Sequence, residues 1–369
     1  MVLSVGEKMI KKILIFTFAF IVSCGTISAY KKNSTKIAYA STPNQAEIVM
    51  DVGTNRVLFE NNSHKKMYMA STTKIVSAIV VIEHCNMSDI VTVSKQTIGV
   101  EGSSIYLEEG EKLTVKELLY GLMLRSGNDC AETLAVYCSG SIDKFCTLMN
   151  ETAKKIGANN SNFVNPHGLH DDNHYTTAYD LALISSYAMK NPIFREIVGT
   201  KSVDISFSTR NYKRHLVNKN KILSQLDGAT GIKTGYTKRA GRCLVSSCMR
   251  DGMEVICVVL NCAPMFERST TLIENAFNQY KPYKLIESDH IYDFIEVENS
   301  KEKCGLCVNR DVVIPLTEDE RKQIKIVGDY PKTIKKPIKK GGEIGSVKIY
   351  YQNNLLFEEK IYTILDVNK

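Results

Sequence analysis

The spacing of apolar residues divides most of the chain into a strand pair, a helical middle and a second set of strands. "AEIVMDVGTNRVLFENN" alternates as a β-hairpin does, with "VGTN" at its turn. Helical spacing runs from "TVKELLYGLMLRSGNDCAETLAVYCSG" through "SIDKFCTLMNETAKKIGA", with Gly140 and Gly157 as expected stops, and returns in "TTAYDLALISSYAMKNP", which ends near Pro192. "IKTGYTKRAGRCLVSSCMRDGMEVICVVLNC" predicts two strands joined at "RDG", and "STTLIENAFNQYK" predicts a helix. This order predicts an α/β domain whose antiparallel sheet gathers both ends of the chain around a helical insert.

One apolar stretch, "MASTTKIVSAIVV", fits two secondary structures. Residues 75–82 are rich in β-branched side chains, and periodicity alone does not separate a buried helix from a buried strand. The length of the run and the Ser/Thr cluster before it, which resembles an N-cap, favour a helix.

The pattern changes near Leu285. Residues 286–369 show short strands broken by charged residues, such as "DFIEVEN", "RDVVIPL", "QIKIVGD" and "GSVKIYYQNNLLFEEKIYTIL", with "KKPIKKGG" as a basic loop. We therefore predict two folded domains, residues 41–285 and a small all-β domain of residues 286–369.

The first 40 residues resemble a secretory signal. Lys8, Lys11 and Lys12 precede the short apolar run "ILIFTFAFIVSCG". "AYA" predicts cleavage before Ser41, which we favour, whereas "IVSC" resembles a bacterial lipobox that would lipidate Cys24, and an uncleaved anchor is a third outcome. Each outcome exports the rest of the chain, and the last two attach it to the membrane through this segment.

The net charge gives no sign of a nucleic-acid partner. The chain of 369 residues carries a formal charge of +7 from 47 basic and 40 acidic residues. Residues 1–40 contain six lysines and one glutamate, so 41 basic and 39 acidic residues remain in the folded part, a charge of +2. Nucleic-acid binding would require a basic stripe there, and none is visible in the sequence.

The eleven cysteines predict buried thiols rather than a disulfide framework. Ten of them follow residue 40, and many lie in apolar or helical stretches, where free cysteine behaves as a small hydrophobic residue. "CGLC" is the one closely spaced pair, but neither a βαβ pattern nor a second pair supports a redox or zinc motif. We expect at most one local disulfide.

Ser71 and Lys74 are the first candidates for chemistry. Residues three apart share a face of a helix, so the Ser71 hydroxyl and the Lys74 amine would meet there. Desolvation and the positive end of the helix dipole would both disfavour the ammonium, and a neutral Lys74 could take a proton from Ser71. A solvated lysine beside a capping serine explains this stretch equally well when it is taken alone.

Two further short motifs change that balance. "RSGND" places Ser126 and Asn128 at the start of a helix, and "GIKTGYT" places Lys233, Thr234 and Gly235 on a strand before a hairpin. Ser-x-x-Lys, Ser-x-Asn and Lys-Thr-Gly in this chain order characterise serine β-lactamases and penicillin-binding proteins. Any one of them is weak evidence, but the three in order on the expected elements are strong.

The chain resembles the low-molecular-mass penicillin-binding proteins of the D-alanyl-D-alanine carboxypeptidase family. The resemblance covers nearly everything after residue 41 and rests on "ASTTK", "SGND", "NFVNPHGLHDDNHYTTAYDLA", "GIKTGYTKRAG" and "KKGGEIGSVKIYYQNNLL". It implies a β-lactamase/transpeptidase-like domain followed by a small all-β domain. It also implies a serine-type carboxypeptidase on the extracytoplasmic face of a bacterium, with no cofactor, acting on peptidoglycan pentapeptides that end in D-Ala-D-Ala and acylated by β-lactam antibiotics.

The sequence departs from the family pattern in two places. Met69 stands where the family often has proline, a change that we expect to be harmless. The chain stops at "ILDVNK" without the amphipathic membrane-binding helix of many members, so membrane attachment is expected only through residues 1–40.

The resemblance also implies a role for each candidate residue. Ser71 would attack the carbonyl between the two D-alanines, with Lys74 as general base. Ser126, helped by Lys233, would pass a proton to the leaving amine, and Asn128 would hold the substrate amide.

The remaining implied roles concern binding. The backbone N–H groups of Ser71 and Tyr236, which follows Gly235, would form the oxyanion hole. Thr234 and Arg268, in "MFERSTT", would bind the terminal carboxylate together with Lys233. A structural role for Arg268 is the alternative.

The sequence also suggests three other functions that we consider less well supported. "NPHGLHDDNHY" contains His167, His170, His174, Asp171 and Asp172, but its loop-like pattern lacks the fixed periodicity of a metal site, and we expect no metal. A β-lactamase commonly needs a Glu-x-x-Leu-Asn element, and residues 160–175 contain no glutamate. A non-catalytic penicillin-binding protein would not need the intact set of catalytic residues.

Overall fold

The structure, a computed structural model, describes residues 44–288 and 290–366. The helices of these residues, in chain order, are α1 (Lys74–His84), α2 (Val115–Leu124), α3 (Asn128–Ser139), α4 (Ile142–Ile156), α5 (Ala178–Met189), α6 (Pro192–Gly199), α7 (Ile222–Gln225), α8 (Met265–Gln279) and α9 (Glu318–Arg321). The strands are β1 (Ala46–Asp51), β2 (Val57–Asn61), β3 (Ile90–Thr92), β4 (Lys112–Thr114), β5 (Ser202–Ile205), β6 (Arg214–Val217), β7 (Ala229–Thr237), β8 (Gly241–Arg250), β9 (Met253–Leu260), β10 (Lys281–Ile286), β11 (Asp293–Val297), β12 (Lys303–Cys307), β13 (Val312–Leu316), β14 (Ile324–Asp329), β15 (Thr333–Ile334), β16 (Glu343–Tyr351) and β17 (Asn354–Thr363). The proposed signal segment lies outside the described residues.

The central sheet confirms the predicted arrangement. It has the order β2-β1-β9-β8-β7, and every neighbouring pair is antiparallel, so the two ends of the first 280 residues meet around the helical insert. Helices α1 to α6 cover one face in a continuous apolar core, and α8 covers the other face in a second core. β7 is an edge strand of this sheet, and it passes close to the segment that precedes α1.

The start of α1 differs from the prediction. The helix begins at Lys74, and Ser71 lies before it in a 3₁₀ turn, Ala70–Thr73. No Ser or Thr side chain caps α1, because Thr73 already has helical φ and ψ, whereas an N-cap residue needs an extended backbone. The Thr73 hydroxyl instead donates to the carbonyl oxygen of Ala70 at 2.8 Å. The Ser/Thr cluster therefore shapes the turn that carries Ser71.

The ends of the other helices follow the sequence closely. Gly140 and Gly157 end α3 and α4 in the left-handed conformation, at φ of 83° and 97°, as predicted. Pro192 does more than end α5, because it is also the first residue of α6, a helix that we did not predict. The Asn191 side chain caps α6 by accepting from the Ile193 N–H at 2.9 Å.

The residues after β10 form the predicted all-β region. A six-stranded sheet has the order β14-β16-β17-β12-β11-β15, β10 pairs with β13, and a separate apolar core lies among these strands. The four predicted strand segments are all present, whereas β10, β12, β15 and the short α9 were not predicted. The fold class is confirmed, and the domain boundary at residue 285 stays a prediction.

Two general features complete the description. Across residues 44–288 and 290–366 the ten cysteines are free thiols, including Cys304 and Cys307 of "CGLC". Among the same residues, no helix is both long and apolar enough to cross a membrane.

Candidate active site

Lys74 is fully buried at the start of α1, where three oxygen atoms surround its amine. Its Nζ lies 3.2 Å from Ser71 Oγ and 2.7 Å from both the Asn128 side-chain oxygen and the His167 carbonyl oxygen. The predicted meeting of Ser71 and Lys74 is therefore confirmed in geometry, with Ser71 in the turn and Lys74 in the helix. Ser71 itself is only partly buried, so a substrate can reach its hydroxyl.

Burial lowers the pKa of Lys74 well below its ordinary value, and the charge of Lys233 lowers it further. A neutral amine has two N–H donors and one lone pair. In the neutral form of Lys74, the Asn128 and His167 oxygens, which are acceptors only, would take the two N–H groups, and the lone pair would face the Ser71 hydroxyl. This is the orientation that a general base for Ser71 requires.

A tight turn in "NPHG" brings the His167 carbonyl to Lys74. The Asn165 side-chain oxygen accepts from the His167 N–H at 3.3 Å, as in an Asx turn, and from the Gly168 N–H at 2.7 Å. Gly168 has φ of +88°, and a Cβ there would lie 2.0 Å from the Ala70 carbonyl oxygen. Only glycine fits this position, so the turn and the segment that carries Ser71 are held in contact.

Ser126 and Asn128 lie where α3 begins. Ser126 has φ of +64°, an uncommon conformation for a residue with a side chain, and its Oγ is buried with no hydrogen-bond partner among the described residues. Strained, unpaired groups of this kind are found at functional sites. Asn128 donates to the Glu101 carbonyl at 2.5 Å and accepts from Lys74, so in this structure its amide orients Lys74.

The Lys-Thr-Gly segment of β7 runs beside Ser71. A Cβ on Gly235 would lie 3.0 Å from the Ser71 nitrogen, so this strand approaches the turn more closely than a larger residue allows. Thr234 and Tyr236 flank Gly235 on β7. Lys233 is buried, and desolvation, followed by the charge of Lys219, lowers its pKa to about 7.

Lys219 is a site residue that the sequence analysis missed. Its ammonium donates to Ser103 Oγ at 3.1 Å and is close enough to lower the pKa of both Lys74 and Lys233. Nothing in "VNKNK" distinguishes this lysine from a solvated one. Its place becomes visible only when the segment before α7 packs against α2, where the Lys219 N–H donates to the Leu124 carbonyl at 3.1 Å.

Asp129 was also missed. Its buried carboxylate accepts from the Ser104 hydroxyl at 2.5 Å and from the N–H groups of Ile105 and Leu107 at 3.2 and 3.1 Å. It therefore holds the loop that supplies Glu101 and Ser103 to the site. Asp129 is the last residue of "SGND", so the motif itself could have indicated it.

Arg268 is not brought to this cluster. It lies on α8, against the face of the sheet opposite α1, and forms a bidentate ion pair with the buried Glu47. Arg268 Nε donates to Glu47 Oε1 and Arg268 Nη2 donates to Glu47 Oε2, both at 2.7 Å. A buried carboxylate needs a cation, and this one is supplied by Arg268. The structure therefore supports a structural role for Arg268. The cation that lies near Lys233 is Lys219.

Comparison with known proteins identifies the family. Residues 32–263 match the family model described as D-alanyl-D-alanine carboxypeptidase, and residues 280–369 match that of the penicillin-binding protein 5 C-terminal domain. The chain belongs to the D-alanyl-D-alanine carboxypeptidase family. It is thus a serine-type low-molecular-mass penicillin-binding protein, as the sequence motifs predicted.

Individual relatives agree over most of their length. The chain is 31% identical to the D-alanyl-D-alanine carboxypeptidase DacF of Bacillus subtilis over 92% of this chain and 88% of that protein. It is similar to the crystal structure of the D-alanyl-D-alanine carboxypeptidase DacD of Francisella tularensis, with a TM-score of 0.66 and 25% identity over 90% of this chain and 95% of that one. Penicillin-binding protein 5 of Haemophilus influenzae, 24% identical, shares the fold with a TM-score of 0.73 over 89% of this chain and 100% of that one.

The structural role of Arg268 predicts a loss of stability rather than of specificity in Arg268→Ala. Removing one partner of a buried ion pair leaves the other charge unpaired, at a cost of about 3 to 5 kcal/mol in the free energy of unfolding. Arg250→Ala is the matched control, since Arg250 also pairs with a carboxylate of α8, Glu274, but at the surface, and we expect a loss of less than about 1 kcal/mol. Urea denaturation of both variants measures the difference, and equal losses would contradict the assignment.

The three histidines of "NPHGLHDDNHY" have separate partners. His167 lies 3.4 Å from Glu132, and His170 lies 3.3 Å from Asp172. His174 accepts from the Val164 N–H at 3.1 Å through Nδ1, so its other nitrogen donates to the Thr73 hydroxyl at 2.7 Å and supports the Ser71 turn. Burial lowers the pKa of His174 to about 4, so it stays neutral. Among the described residues, no group of three or more His, Cys, Asp or Glu side chains is arranged to hold a metal ion.

Proposed function

We propose that this carboxypeptidase removes the terminal D-alanine from peptidoglycan stem peptides through an acyl-enzyme on Ser71. Ser71 Oγ attacks the carbonyl carbon of the bond between the two D-alanines, and its proton passes to Lys74 Nζ. The C–N bond then breaks, D-alanine leaves, and Ser126 relays to the leaving amine the proton that Lys74 took from Ser71, so that Lys74 is neutral again. A water molecule hydrolyses the ester and regenerates Ser71.

The other site residues would bind the reacting groups. The backbone N–H groups of Ser71 and Tyr236 would stabilise the tetrahedral oxyanion. In support, Gly235, next to Tyr236 on β7, closely approaches the Ser71 nitrogen. Lys233 and Thr234 would bind the terminal carboxylate, and Lys219 adds a second positive charge on that side. β-Lactam antibiotics, which present a carboxylate and a reactive amide, would acylate Ser71 in the same way.

One observation carries this proposal. The Lys74 amine is enclosed by two acceptor-only oxygens and the Ser71 hydroxyl, and its pKa is lowered. A lysine in a merely structural role would be expected to pair with a carboxylate, and here the three recorded partners carry no charge. The arrangement activates Ser71 and explains why Lys74 is buried.

The proposal predicts that the substrate needs a free terminal carboxylate. A carboxylate accepts charge-assisted hydrogen bonds from Lys233 and Thr234, each worth on the order of 1.5 to 3 kcal/mol, and an amide loses them. Converting a D-Ala-D-Ala peptide to its amide should therefore lower kcat/KM by roughly 100-fold or more. The measurement is the rate of product release from matched acid and amide peptides. Equal rates would contradict a carboxypeptidase, and Arg268→Ala should retain the preference.

We also propose that the protein is exported. Residues 1–40 support this, because a basic segment is followed there by a short apolar run, as in a secretory signal. Cleavage before Ser41 remains our preferred outcome. Sequencing the N-terminus of the mature protein tests it, and an intact Met1 on protein recovered from the cytoplasm would contradict it.

A further inference from the structure

Cys85 and Cys138 form a pair of thiols that the mechanism above does not use. Cys85 directly follows the last residue of α1, and Cys138 lies in the last turn of α3. Their side chains share a hydrogen bond, although the two residues are far apart in the chain. Both are partly exposed, whereas seven of the other eight cysteines in the described part of the chain are buried. A reagent in solution can therefore reach this pair.

The packing of α1 against α3 brings the two thiols together. The helices contact each other and are almost equally long, with 11 residues in α1 and 12 in α3. At their N-terminal ends, Lys74 Nζ donates to the Asn128 side-chain oxygen at 2.7 Å. At their C-terminal ends, Cys85 meets Cys138. The contact between the thiols is therefore held by the same helix packing that joins two residues of the candidate active site.

The hydrogen bond makes the two thiols chemically unequal. It lowers the pKa of Cys85 and raises the pKa of Cys138, as expected when the Cys138 thiol donates to the Cys85 sulfur. Burial and the negative charge of Asp89 oppose the lowering of the Cys85 pKa without cancelling it. Because the thiolate is the nucleophile in thiol–disulfide exchange, Cys85 is the attacking sulfur of the pair.

Two other roles explain the pair less well. A metal ion held by thiolates needs further ligands, and among residues 44–288 and 290–366 no group of three or more His, Cys, Asp or Glu side chains is arranged to hold one. Packing alone explains a buried cysteine, which behaves as a small hydrophobic residue. It does not explain why two partly exposed thiols on different helices are in contact.

We propose that Cys85 and Cys138 are a site of covalent modification, at which an external disulfide oxidises the two thiols to a disulfide bond that ties α1 to α3. The Cys85 thiolate attacks one sulfur of the external disulfide and releases the first external thiol. The Cys138 sulfur, after losing its proton, attacks the Cys85 sulfur and releases the second. Two protein thiols are thus oxidised, and one external disulfide is reduced to two thiols.

The test treats the full chain with oxidised glutathione, blocks the remaining thiols with N-ethylmaleimide and analyses the digest by mass spectrometry without reduction. We expect a pair of peptides linked through Cys85 and Cys138, with no glutathione on either. The bond closes a loop of roughly 50 residues, so the melting temperature should rise by about 5 °C relative to protein kept in dithiothreitol. Later addition of dithiothreitol should reverse the rise.

Cys138→Ser should abolish both the link and the rise in melting temperature. Its hydroxyl can still donate to the Cys85 sulfur, so Cys85 should instead carry one glutathione. Cys307→Ser is the matched control, because Cys307 is also partly exposed but lies on β12, and this variant should keep both the link and the rise. Labelling by benzylpenicillin establishes that each variant is folded.

Several outcomes would overturn the proposal. Cys85 and Cys138 that both react with N-ethylmaleimide after the treatment, or that each carry a separate glutathione, would show that no bond forms between them. A link from either residue to a different cysteine would overturn the pairing. An equal rise in melting temperature in Cys138→Ser would show that the stabilisation arises elsewhere.

Discussion

Ser71→Ala is expected to abolish covalent labelling by benzylpenicillin and to lower the rate of D-alanine release by a factor on the order of 10⁴ or more. The reason is that the acyl-enzyme forms on Ser71 Oγ, and neither Lys74 nor Ser126 can replace the lost oxygen as nucleophile. Mass spectrometry of the labelled, digested protein measures the site and extent of acylation. Thermal unfolding of the variant shows whether the fold is intact.

Ser126→Ala is the matched control for this result. Ser126 is also a serine of the site, but we assign it the relay of a proton. Its loss should therefore slow acylation by on the order of 100-fold without preventing it. Labelling that persists at full rate in Ser71→Ala, or that maps to Ser126, would show that the nucleophile was wrongly assigned.

The parts of the site that were predictable from the sequence are those whose partners are close in the chain or belong to a known motif. Ser71 and Lys74 are three residues apart, so helical geometry alone brings them together. Gly235 and its neighbours could be placed because Lys-Thr-Gly lies on a strand directly before a hairpin. Local relations of the same kind explain why the two hairpins, β1–β2 and β8–β9, were predicted correctly.

The parts that could not be predicted depend on partners far away in the sequence. Arg268 was expected in the site because its position after β9 is the only local signal, and its partner Glu47 is 221 residues away. Lys219 reaches the site because the segment before α7 packs against α2. His167 contributes a backbone carbonyl, and the identity of a side chain does not report such a contact.

The 3₁₀ turn at Ser71 shows the same limitation on a smaller scale. The sequence favoured one helix over the whole stretch, and the helix was correct from Lys74 onwards. The turn before it is fixed by contacts from elsewhere, namely Gly168 against Ala70 and His174 against Thr73. Tertiary contacts therefore decided the local geometry at the residue that matters most for the reaction.

Lys74→Gln is expected to lower the second-order rate of acylation by benzylpenicillin by on the order of 10³. Glutamine keeps two N–H donors for the Asn128 and His167 oxygens, so the buried acceptors remain paired, but its amide has no basic lone pair for Ser71. Thermal unfolding should show a folded protein, and stopped-flow measurement of acylation gives the rate. A rate within tenfold of the unmutated protein would exclude Lys74 as the general base.

The pH dependence distinguishes Lys74 from Lys233. Because the pKa of Lys74 is lowered, acylation of the unmutated protein should rise with pH as Lys74 loses its proton and becomes able to accept one from Ser71. Lys233 has a pKa of about 7, so its positive charge, which binds the substrate carboxylate, is present below that pH and is lost above it. The rate should therefore pass through a maximum. Lys74→Gln should remove the rising side and Lys233→Gln the falling side, and the opposite assignment in the two variants would exchange the roles of the two lysines.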